Sequence, residues 1–395
     1  MHPDCYIVHY HEIALKGANR LFFENQLRRN ILKVLAPFGV RRVDLLRGRI
    51  KVHLPENPRV EDISSNLAKV FGIAYFAPAL ICEQNINAIT EKSLLISKYA
   101  TFKNFRIETR RAQKHFPMDS VAVNAHVGSA VQKASNATVQ LKRPEYKIVV
   151  EIFDKEALVY ADRTEGAGGL PSGVSDRAVT LLSSGIDSPV AAYKMMRRGV
   201  RSIFVHFHSV PYTSPASIEN TSKLVELLTF YQMKSKLYLI PFIEVQQYIT
   251  SVVRPSYRVI MYRRMMLSIA EKIAKYNKAF ALITGESVGQ VASQTLPNMR
   301  AIAEAAEIPI LRPLAGDDKQ DIIALAEKIG TYDISIEPYE DCCSLFMPKS
   351  PETRAKPDVI EELKTKIDTD EWVQKALAEQ EVRYFSIEKE QKKHG

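Results

Sequence analysis

The sequence predicts an α/β protein, with a doubly wound, mainly parallel sheet in its C-terminal part and an α+β arrangement before it. After residue 176, five apolar segments each precede a helical pattern, and they lie near 178–183, 202–208, 236–241, 279–284 and 308–312. Strict strand–helix alternation is typical of parallel sheets covered by helices on both faces. Before residue 165 strands and helices follow one another without that alternation. The segment 166–175, "GAGGLPSGVS", is rich in glycine, proline and serine and predicts a linker between the two parts.

The first sixty or so residues predict a strand, a helix, a hairpin and a second helix. The strand is "CYIVHYHEIAL", and the amphipathic helix "RLFFENQLRRNILKVLAPFG" ends at Pro37 and Gly39. "RRVDLLRGRIKVHL" is typical of a hairpin, and "VEDISSNLAKVFG" of a helix.

A second unit of similar character follows before the linker. It predicts a helix near 87–100, the basic strand "FRIETRRAQK" (105–114), the helix "SVAVNAHVGSAVQKA" and a hairpin that turns at Asp154–Lys155. At the far end of the chain, residues 352–395 are charged and favour a helical, solvated covering arm.

Size and composition indicate two or three domains of a cytoplasmic protein. The chain has 395 residues, 46% of them hydrophobic, and no apolar run approaches the roughly 20 residues that span a membrane. The N-terminus lacks a basic segment followed by an apolar one, so we expect no secretion signal. Four cysteines, two of them adjacent, are too few for a disulfide framework and favour a reducing compartment.

The net charge of +9 is concentrated in the front of the chain. Residues 1–170 contain 25 Lys and Arg against 17 Asp and Glu, whereas residues 171–395 contain 29 against 28. This asymmetry is what a nucleic-acid-binding region shows, and a merely basic, soluble domain would show it equally well.

The segment "LLSSGIDSPVAAY" (181–193) joins the first strand of the C-terminal part to a helix. Ligands bind at the carboxyl ends of the strands in such sheets. Gly185 permits backbone N–H groups to converge on an anion, the helix that starts near Ser188 adds its positive end, and the Ser183 and Ser188 hydroxyls can donate. A carboxylate beside phosphates requires a cation, so Asp187 predicts Mg²⁺.

Other loop chemistries fit this segment and its surroundings less well. An ordinary strand-to-helix turn uses the same residue types for capping, and that reading stays open on the loop alone. The loop has no G-K-[ST] and is not a Walker A motif. The linker fails G-x-G-x-x-G because Pro171 replaces the third glycine.

Residues 183–188, "SSGIDS", resemble the S-G-G-x-D-S signature of the PP-loop ATP pyrophosphatases, with Ser184 in place of the second glycine. The resemblance narrows to the tRNA 4-thiouridine synthetase family through "LRPLAGDDKQDII", "GTYDISIEPYEDCCSLFMPKSPETR", "EIALKGANRLFFENQLRRNI" and "RRAQKHFPMDS". It runs from about residue 5 to 355. It implies a ferredoxin-like domain at 1–60, a THUMP RNA-binding domain at 61–165 and a PP-loop catalytic domain of the adenine nucleotide alpha-hydrolase-like fold at 176–395.

The same resemblance implies the residues that contact ATP and those that act on it. The ATP contacts transfer to Leu181, Leu182, Ser183, Ser184, Gly185, Ser188, His206, Phe207, Arg263, Gly285 and Gln294. The lysine that the family uses in adenylation corresponds to Lys319, in "GDDKQD", which would act together with Asp187. Taken singly, Arg263 is typical of a solvated helix face, His206 of a satisfied core histidine and Gly285 of a turn, while Lys319 would pair with Asp317 or Asp321.

The adjacent cysteines Cys342 and Cys343 follow an acidic turn. A pair of cysteines is usually two small apolar residues under a loop, and nearby acids oppose a reactive thiolate. The family resemblance implies a catalytic cysteine here and favours Cys343 over Cys342. With Cys5 and Cys82 far away in the sequence, neither a zinc site nor an iron–sulfur cluster is expected.

Basic residues set among aromatic and apolar ones predict the RNA contacts. They are Lys16, Arg20, Arg106, Arg110, Arg111 and Lys114. Such cations bind phosphates and fix register without reading sequence, although a basic strand is more often a solvated face.

The resemblance implies an ATP-dependent tRNA sulfurtransferase that makes 4-thiouridine at position 8. Its partners would be the tRNA, gripped at its acceptor end, a cysteine desulfurase as persulfide donor, and a second copy in a homodimer. A role in supplying sulfur for the thiamine thiazole is left open. The alternatives are another PP-loop tRNA-modifying enzyme, a 2-thiolase or ligase, and a tRNA-binding module whose nucleotide site is defective because of Ser184.

Overall fold

A computed structural model describes residues 2–112, 115–338, 346 and 350–387. Its contacts divide the chain into two compact units, Met1–Pro171 and Ser172–Gly395. Among the described residues, no helix has both the length and the apolar character needed to cross a bilayer.

The N-terminal unit places its strands in one continuous sheet. Its elements in chain order are β1 (Cys5–His9), α1 (Arg20–Leu35), β2 (Val43–Leu46), β3 (Arg49–His53), α2 (Val60–Ala68), β4 (Tyr75–Cys82), α3 (Ile86–Ser97), β5 (Asn104–Arg111), α4 (Ser120–Ser135), β6 (Thr138–Val139), β7 (Tyr146–Ile152), β8 (Ala157–Tyr160) and β9 (Thr164–Glu165). The strand order is β2-β3-β1-β4-β8-β7-β5-β6, and β9 pairs with β4. Both predicted hairpins are confirmed, and β4 joins their strands because it pairs with β1 on one side and β8 on the other.

This sheet curls until strands far apart in its order meet. The guanidinium Nε of Arg49, on β3, lies 3.2 Å from Oε2 of Glu151, on β7, although β1, β4 and β8 lie between those strands. Lys51 on β3 likewise pairs with Glu156. Arg47 donates to the carbonyl of Ala112 at 2.9 Å. The concave face is therefore enclosed by the sheet itself.

The two faces of the curled sheet carry separate apolar clusters. Helices α3 and α4 pack on one face, against Phe105, Ile107, Ile148 and Val150 among others. The opposite, concave face buries a second cluster, which contains Cys5, Ile7, Ala77, Ala79, Val149, Phe153, Leu158 and Tyr160. Strand alternation explains the division, because neighbouring residues such as Val149 and Val150 point to opposite faces.

The C-terminal unit has the predicted alternation of strands and helices. Its elements are β10 (Ser175–Leu181), α5 (Asp187–Met196), β11 (Val200–His208), α6 (Ala216–Gln232), β12 (Lys234–Pro241), α7 (Ile243–Val252), α8 (Arg258–Tyr276), β13 (Ala281–Ile283), α9 (Leu296–Ala303), β14 (Ile310–Leu311), α10 (Lys319–Ile329), α11 (Tyr332–Ser335), α12 (Pro357–Thr365), α13 (Thr369–Ala378) and β15 (Glu381–Ser386). The order β14-β13-β10-β11-β12-β15 is parallel from β14 to β12, which confirms the doubly wound, mainly parallel sheet.

Strand β10 lies where the winding reverses. Its successor β11 pairs on one side, whereas β13, reached after β12, pairs on the other. In such sheets this switch point opens a crevice outside the carboxyl ends of the strands.

The prediction of a helical, solvated arm over 352–395 is wrong in two respects. Residues 381–386 form β15, an antiparallel edge strand on β12. Helices α12 and α13 bury Ile360, Leu363, Val373 and Ala376 in the main core of this unit. The charges of the segment lie on its outer positions, and its apolar residues complete the fold.

Candidate functional site

A cavity of about 300 Å³ opens at the switch point, and it lies entirely in the C-terminal unit. It is lined by the carboxyl ends of β10, β11 and β13, the start of α5 and one face of α8. Eleven residues predicted to act at a nucleotide site line it: Leu181, Leu182, Ser183, Gly185, Asp187, Ser188, His206, Phe207, Arg263, Gly285 and Gln294. The fold thus brings together side chains from four separate parts of the sequence.

The loop after β10 is held by its own serines. The Ser188 hydroxyl donates to the Ser183 carbonyl at 3.1 Å and accepts the Ser183 N–H at 2.9 Å. The N-cap of α5, Ile186, supplies no capping side chain. The first-turn N–H groups of α5 are therefore left for an anion, and the helix dipole favours negative charge there.

Ser184 fits this loop without backbone strain. Ser184 is fully buried, and its hydroxyl has no hydrogen-bond partner in the described part of the chain. Neither Ser184 nor Gly185 has a positive φ, so a residue with a side chain is tolerated where the related signature has glycine. Ser184 does not line the cavity, unlike the other loop residues of the predicted ATP set.

Gly285 is required by the protein backbone that passes beside it. A Cβ at this position would lie 2.8 Å from the Ser188 nitrogen and 2.9 Å from its Cα. Side-chain atoms essentially never approach backbone so closely, so only glycine lets the segment after β13 close against the start of α5. The sequence analysis placed Gly285 among the ATP contacts, and the structure shows that the backbone of α5 passes directly beside it.

Asp187 and Lys319 form an ion pair between the first residues of α5 and α10. Nζ of Lys319 lies 2.5 Å from Oδ1 of Asp187. Gln290 donates its amide to the other carboxylate oxygen at 3.1 Å. Asp317, one of the alternative partners of Lys319, instead pairs with Lys194 at 2.5 Å. The lysine at a helix start is therefore directed toward the loop.

Glu286 is a buried carboxylate of the cavity wall that the sequence analysis did not single out. Its buried carboxylate accepts from Arg263 at 2.6 Å, from Arg312 at 2.7 Å and from the Thr284 hydroxyl at 3.0 Å. Glu286 and Thr284 both line the cavity. Its position directly after Gly285, just past a strand end, was the available signal.

His206 and Gln294 differ in what they offer to a ligand. The His206 ring is enclosed by protein, with Nδ1 2.9 Å from the Leu182 carbonyl and Nε2 3.4 Å from the Ser217 hydroxyl. Gln294 is 6% exposed, and its Oε1 is buried without a partner in the described residues. A buried acceptor of this kind is costly unless a ligand donor meets it, so the cavity fits a molecule with an amino or hydroxyl donor, such as a nucleoside.

The described residues contain no cluster of three or more His, Cys, Asp or Glu that could hold a metal by itself. Asp187 is a single carboxylate in the loop. Mg²⁺ is commonly held by one or two carboxylates together with substrate phosphates, so this donor set fits the ion only alongside a nucleotide. Cys342 and Cys343, the predicted sulfur carriers, lie outside the described residues.

The predicted RNA residues of β5 divide between two faces of the sheet. Arg106 and Arg110 lie on one face, where both contact Glu108 together with Lys147. Although burial opposes it, contact with these cations lowers the pKa of Glu108 to about 2. Arg111 lies on the other face and donates to the Met118 carbonyl at 3.0 Å. The face that carries Arg106 and Arg110 is therefore positive, and its cations are paired with Glu108.

Lys16 and Arg20 lie near the start of α1. The Lys16 ammonium is 5.1 Å from the centre of the Phe23 ring. Arg20 donates to Glu24 at 2.7 Å and to the Tyr10 hydroxyl at 2.8 Å, and the Glu24 contact raises the pKa of Arg20. Lys114 lies outside the described residues. Arg20 is thus partly a structural residue, whereas the Lys16 ammonium contacts a ring and forms no ion pair within the described part of the chain.

Known protein families match residues in both units of the chain. Residues 5–77 match the ThiI ferredoxin-like domain, residues 83–162 the THUMP domain, and residues 173–369 the family described as "Thiamine biosynthesis protein (ThiI)". The expected ferredoxin-like, THUMP and PP-loop types of domain are confirmed by these matches and by the parallel sheet.

Individual relatives match along nearly the whole chain. A probable tRNA sulfurtransferase of Thermoanaerobacter pseudethanolicus is 43% identical over 371 residues, which are 94% of this chain and 97% of the relative. The corresponding protein of Thermus thermophilus is 42% identical over 377 residues, 95% of this chain and 93% of the relative. A crystal structure of a 4-thiouridine synthetase–RNA complex with bound ATP superimposes with a TM-score of 0.89 and 36% identity, covering 98% of this chain and 100% of that one. The chain belongs to the tRNA sulfurtransferase family.

Proposed function

We propose that this protein makes 4-thiouridine at position 8 of tRNA, and that it activates the uracil with ATP. The observation that carries the proposal is the cavity at the carboxyl ends of β10, β11 and β13, where an uncapped helix start, the Arg263 guanidinium and an unsatisfied Gln294 amide oxygen surround one space. Its likeness to a 4-thiouridine synthetase structure with RNA and ATP supports the same conclusion.

The triphosphate would lie against the loop from Ser183 to Ser188, where the N–H groups at the start of α5 can donate to its oxygens. Arg263, which lines the cavity, would bind further phosphate oxygens. The base would then lie toward Phe207 and Leu181, with Gln294 available to accept a hydrogen bond from the nucleoside.

Asp187 would hold Mg²⁺ against the phosphates. When bound, the ion would neutralise charge that develops on the departing pyrophosphate. Both carboxylate oxygens of Asp187 are already used by Lys319 and Gln290. Lys319 would therefore leave Asp187 as the nucleotide enters, and its ammonium would turn to the phosphates.

The reaction solves the problem that oxygen on uracil C4 is a poor leaving group. Attack of O4 on the α-phosphorus forms an O4–P bond and breaks the bond to pyrophosphate, so the oxygen becomes part of an adenylate. The terminal sulfur of a persulfide on Cys343, or on Cys342, then attacks C4 and expels AMP. A second thiol must break the remaining S–S bond and is oxidised to a disulfide with the first.

The N-terminal unit would grip the acceptor end of the tRNA through its basic residues. Uridine 8 lies away from that end and is held in tertiary structure, so it must be displaced to reach the cavity. We propose a homodimer in the cytoplasm, in which one subunit holds the tRNA end and the other modifies the base. A cysteine desulfurase would supply the persulfide, and the same sulfur would be available for thiazole synthesis.

The test is mass spectrometry of tRNA nucleosides after incubation of the protein with tRNA, ATP, Mg²⁺ and a persulfide donor. We expect 4-thiouridine at position 8, pyrophosphate release that depends on tRNA, and no 4-thiouridine without ATP. Appearance of 2-thiouridine would assign the protein to another class of PP-loop thiolase. Tight tRNA binding without pyrophosphate release would mean a binding module with a defective nucleotide site.

A further inference from the structure

The carboxylate of Glu286 lies on the wall of a cavity that we propose to bind a polyphosphate. A carboxylate in that place repels the ligand unless it serves another purpose. Its side chain is only 6% exposed, and three donors from three separate elements converge on it: Arg263 of α8, Arg312 after β14, and Thr284 after β13. The sheet and the helix are thus tied together at one buried anion.

The contacts of Glu286 divide the two arginines by role. Arg312 is 19% exposed and is held by the contact of its Nε with Glu286, while its Nη2 is buried without a partner in the described part of the chain. Arg263 lines the cavity, is 26% exposed and gives Nη1 to Glu286. Its remaining N–H groups are available to a ligand, and their direction is set by the Nη1 contact.

We propose that Glu286, supported by Arg312, is a positioning residue that holds the Arg263 guanidinium in the orientation that binds the ATP phosphates. This inference rests on the proposed function, because it assigns the support of that site. A long arginine side chain loses much conformational freedom when it binds a ligand. A carboxylate that orders the side chain beforehand removes part of that loss, and this benefit outweighs the repulsion from one paired negative charge.

The substitution Glu286→Gln separates positioning from simple electrostatics, because the two predict opposite results. Removing a negative charge from the wall would by itself strengthen the binding of a polyanion. Positioning predicts weaker ATP binding in this variant. The ATP KM of tRNA-dependent pyrophosphate release should rise about five- to tenfold. The kcat should stay within about twofold, because the Arg263 contact stabilises bound ATP and the transition state alike. A KM equal to or below that of the unsubstituted protein would overturn the proposal.

Two further variants exclude a general loss of structure. Glu271 of α8 is a similarly buried glutamate, and it accepts the backbone N–H groups of Glu307 and Ile308 away from the cavity. Glu271→Gln should leave the ATP KM unchanged. In an Arg263→Gln background, Glu286→Gln should add less than about a twofold further change, because coupled residues are not additive. Full additivity would contradict a role exerted through Arg263.

If Glu286→Gln does not fold, Arg312→Gln decides the question. It leaves the Glu286–Arg263 contact in place but removes its support, and we expect the ATP KM to rise at least about twofold. An unchanged KM in that variant would overturn the proposal. The proposed function fails separately: the unsubstituted protein would then release no pyrophosphate with tRNA, whatever the variants do.

Discussion

The ammonium of Lys319 and the carboxylate of Asp187 meet at 2.5 Å although the residues are 132 positions apart in the chain. Each is the first residue of its helix, α10 and α5, and Asp187 lines the cavity at the ends of the strands. A cation at a helix N-terminus is unfavourable for the helix that carries it. The pair holds the lysine beside the loop that we propose binds the phosphates.

The first prediction concerns this pair. Asp187→Asn keeps the size of the side chain but removes the charge that we propose holds Mg²⁺, so adenylation should fall by at least about a hundredfold. Affinity for tRNA should stay within about twofold, since the residues that we propose contact the RNA lie in the other unit. Pyrophosphate release and tRNA gel shifts measure the two quantities.

Asp317 provides the matched control for that prediction. It forms an Asp–Lys pair of the same length with Lys194, yet it does not line the cavity. Asp317→Asn should therefore retain most of the activity. If both variants lost adenylation equally, the ion pairs would be acting on the packing of α5 and α10 and not on chemistry.

The second prediction concerns Gly285. In Gly285→Ala the new methyl group would meet the Ser188 backbone at 2.8 Å, and the start of α5 must move. We expect the loss of measurable ATP binding and a fall of about 1–3 kcal/mol in the free energy of unfolding. Gly316→Ala is the control, because a Cβ there meets nothing within 4 Å. Isothermal titration with ATP and thermal melting of both variants would test this; ATP affinity unchanged in Gly285→Ala would contradict it.

The third prediction separates activation from sulfur transfer. Cys343→Ser removes the proposed sulfur carrier and none of the residues to which we assign an ATP contact, so pyrophosphate release with tRNA should continue while 4-thiouridine formation stops. Nucleoside mass spectrometry and a pyrophosphate assay on the same sample give both readings. Full thiolation by Cys343→Ser together with none by Cys342→Ser would move the persulfide to Cys342.

The fourth prediction concerns RNA affinity. Lys16→Gln should weaken tRNA binding and reduce the slope of log affinity against log salt by about one, as expected for one lost phosphate contact. Arg20→Gln should also lower the melting temperature, because it leaves the buried Glu24 carboxylate and the Tyr10 hydroxyl without their cation.

The control for RNA affinity is Lys328→Gln, an exposed lysine at the end of α10 in the other unit. It should retain the salt dependence of the unsubstituted protein. Filter binding at four or more KCl concentrations gives the slopes. An unchanged slope in Lys16→Gln would remove Lys16 from the RNA-binding surface.

The fifth prediction concerns acid. His9 lies inside the curled sheet, stacked on Tyr75 at 4.2 Å. Burial, with smaller effects from Arg49 and Arg110, lowers the pKa of His9 to about 2 from its usual 6.5. In the unfolded chain His9 binds a proton as the pH falls below 6.5, whereas in the folded chain it binds this proton only near pH 2. His9 therefore lowers stability progressively as the pH falls through this window, by about 2 kcal/mol between pH 7 and pH 5.

The variant His9→Gln removes that linkage. Its local unfolding free energy should fall less than that of the unsubstituted chain between pH 7 and pH 5, whatever its absolute value. Hydrogen exchange of the β1 and β4 amides in the full-length protein measures the difference. His126→Gln, which changes an exposed histidine of α4, should behave as the unsubstituted protein does. An equal loss in His9→Gln would show that other groups dominate.

Local signals in the sequence were sufficient for the sheet of the C-terminal unit and for the loop after β10. Apolar runs followed by helical periodicity specify parallel strands, and a Ser/Gly/Asp turn at a strand end specifies where the first helix begins, while it fits an anion site and ordinary helix capping alike. The family resemblance supplied residues such as Gln294, whose isolated position in the chain carries no chemical signal.

Other features depend on contacts that no local pattern encodes. Strand β4 was not predicted, because Pro78 in "YFAPALIC" argues against a central strand. Strand β15 was taken for helix, because its charged surroundings mask a short alternating segment. The Glu286 network needs Arg263 and Arg312, which meet only after α8 and β14 have packed on the sheet.

The course of β4 has a consequence for how the front of the molecule unfolds. Residues 75–79 pair with β1 and residues 80–82 pair with β8, so this one strand joins strands of the two family segments, 5–77 and 83–162, in a single sheet. A truncation near residue 80 would leave one edge of the sheet without its partner strands. Water would then reach the apolar residues of the concave face. Residues 1–171 should therefore melt in one cooperative step, and neither segment should persist when expressed without the other.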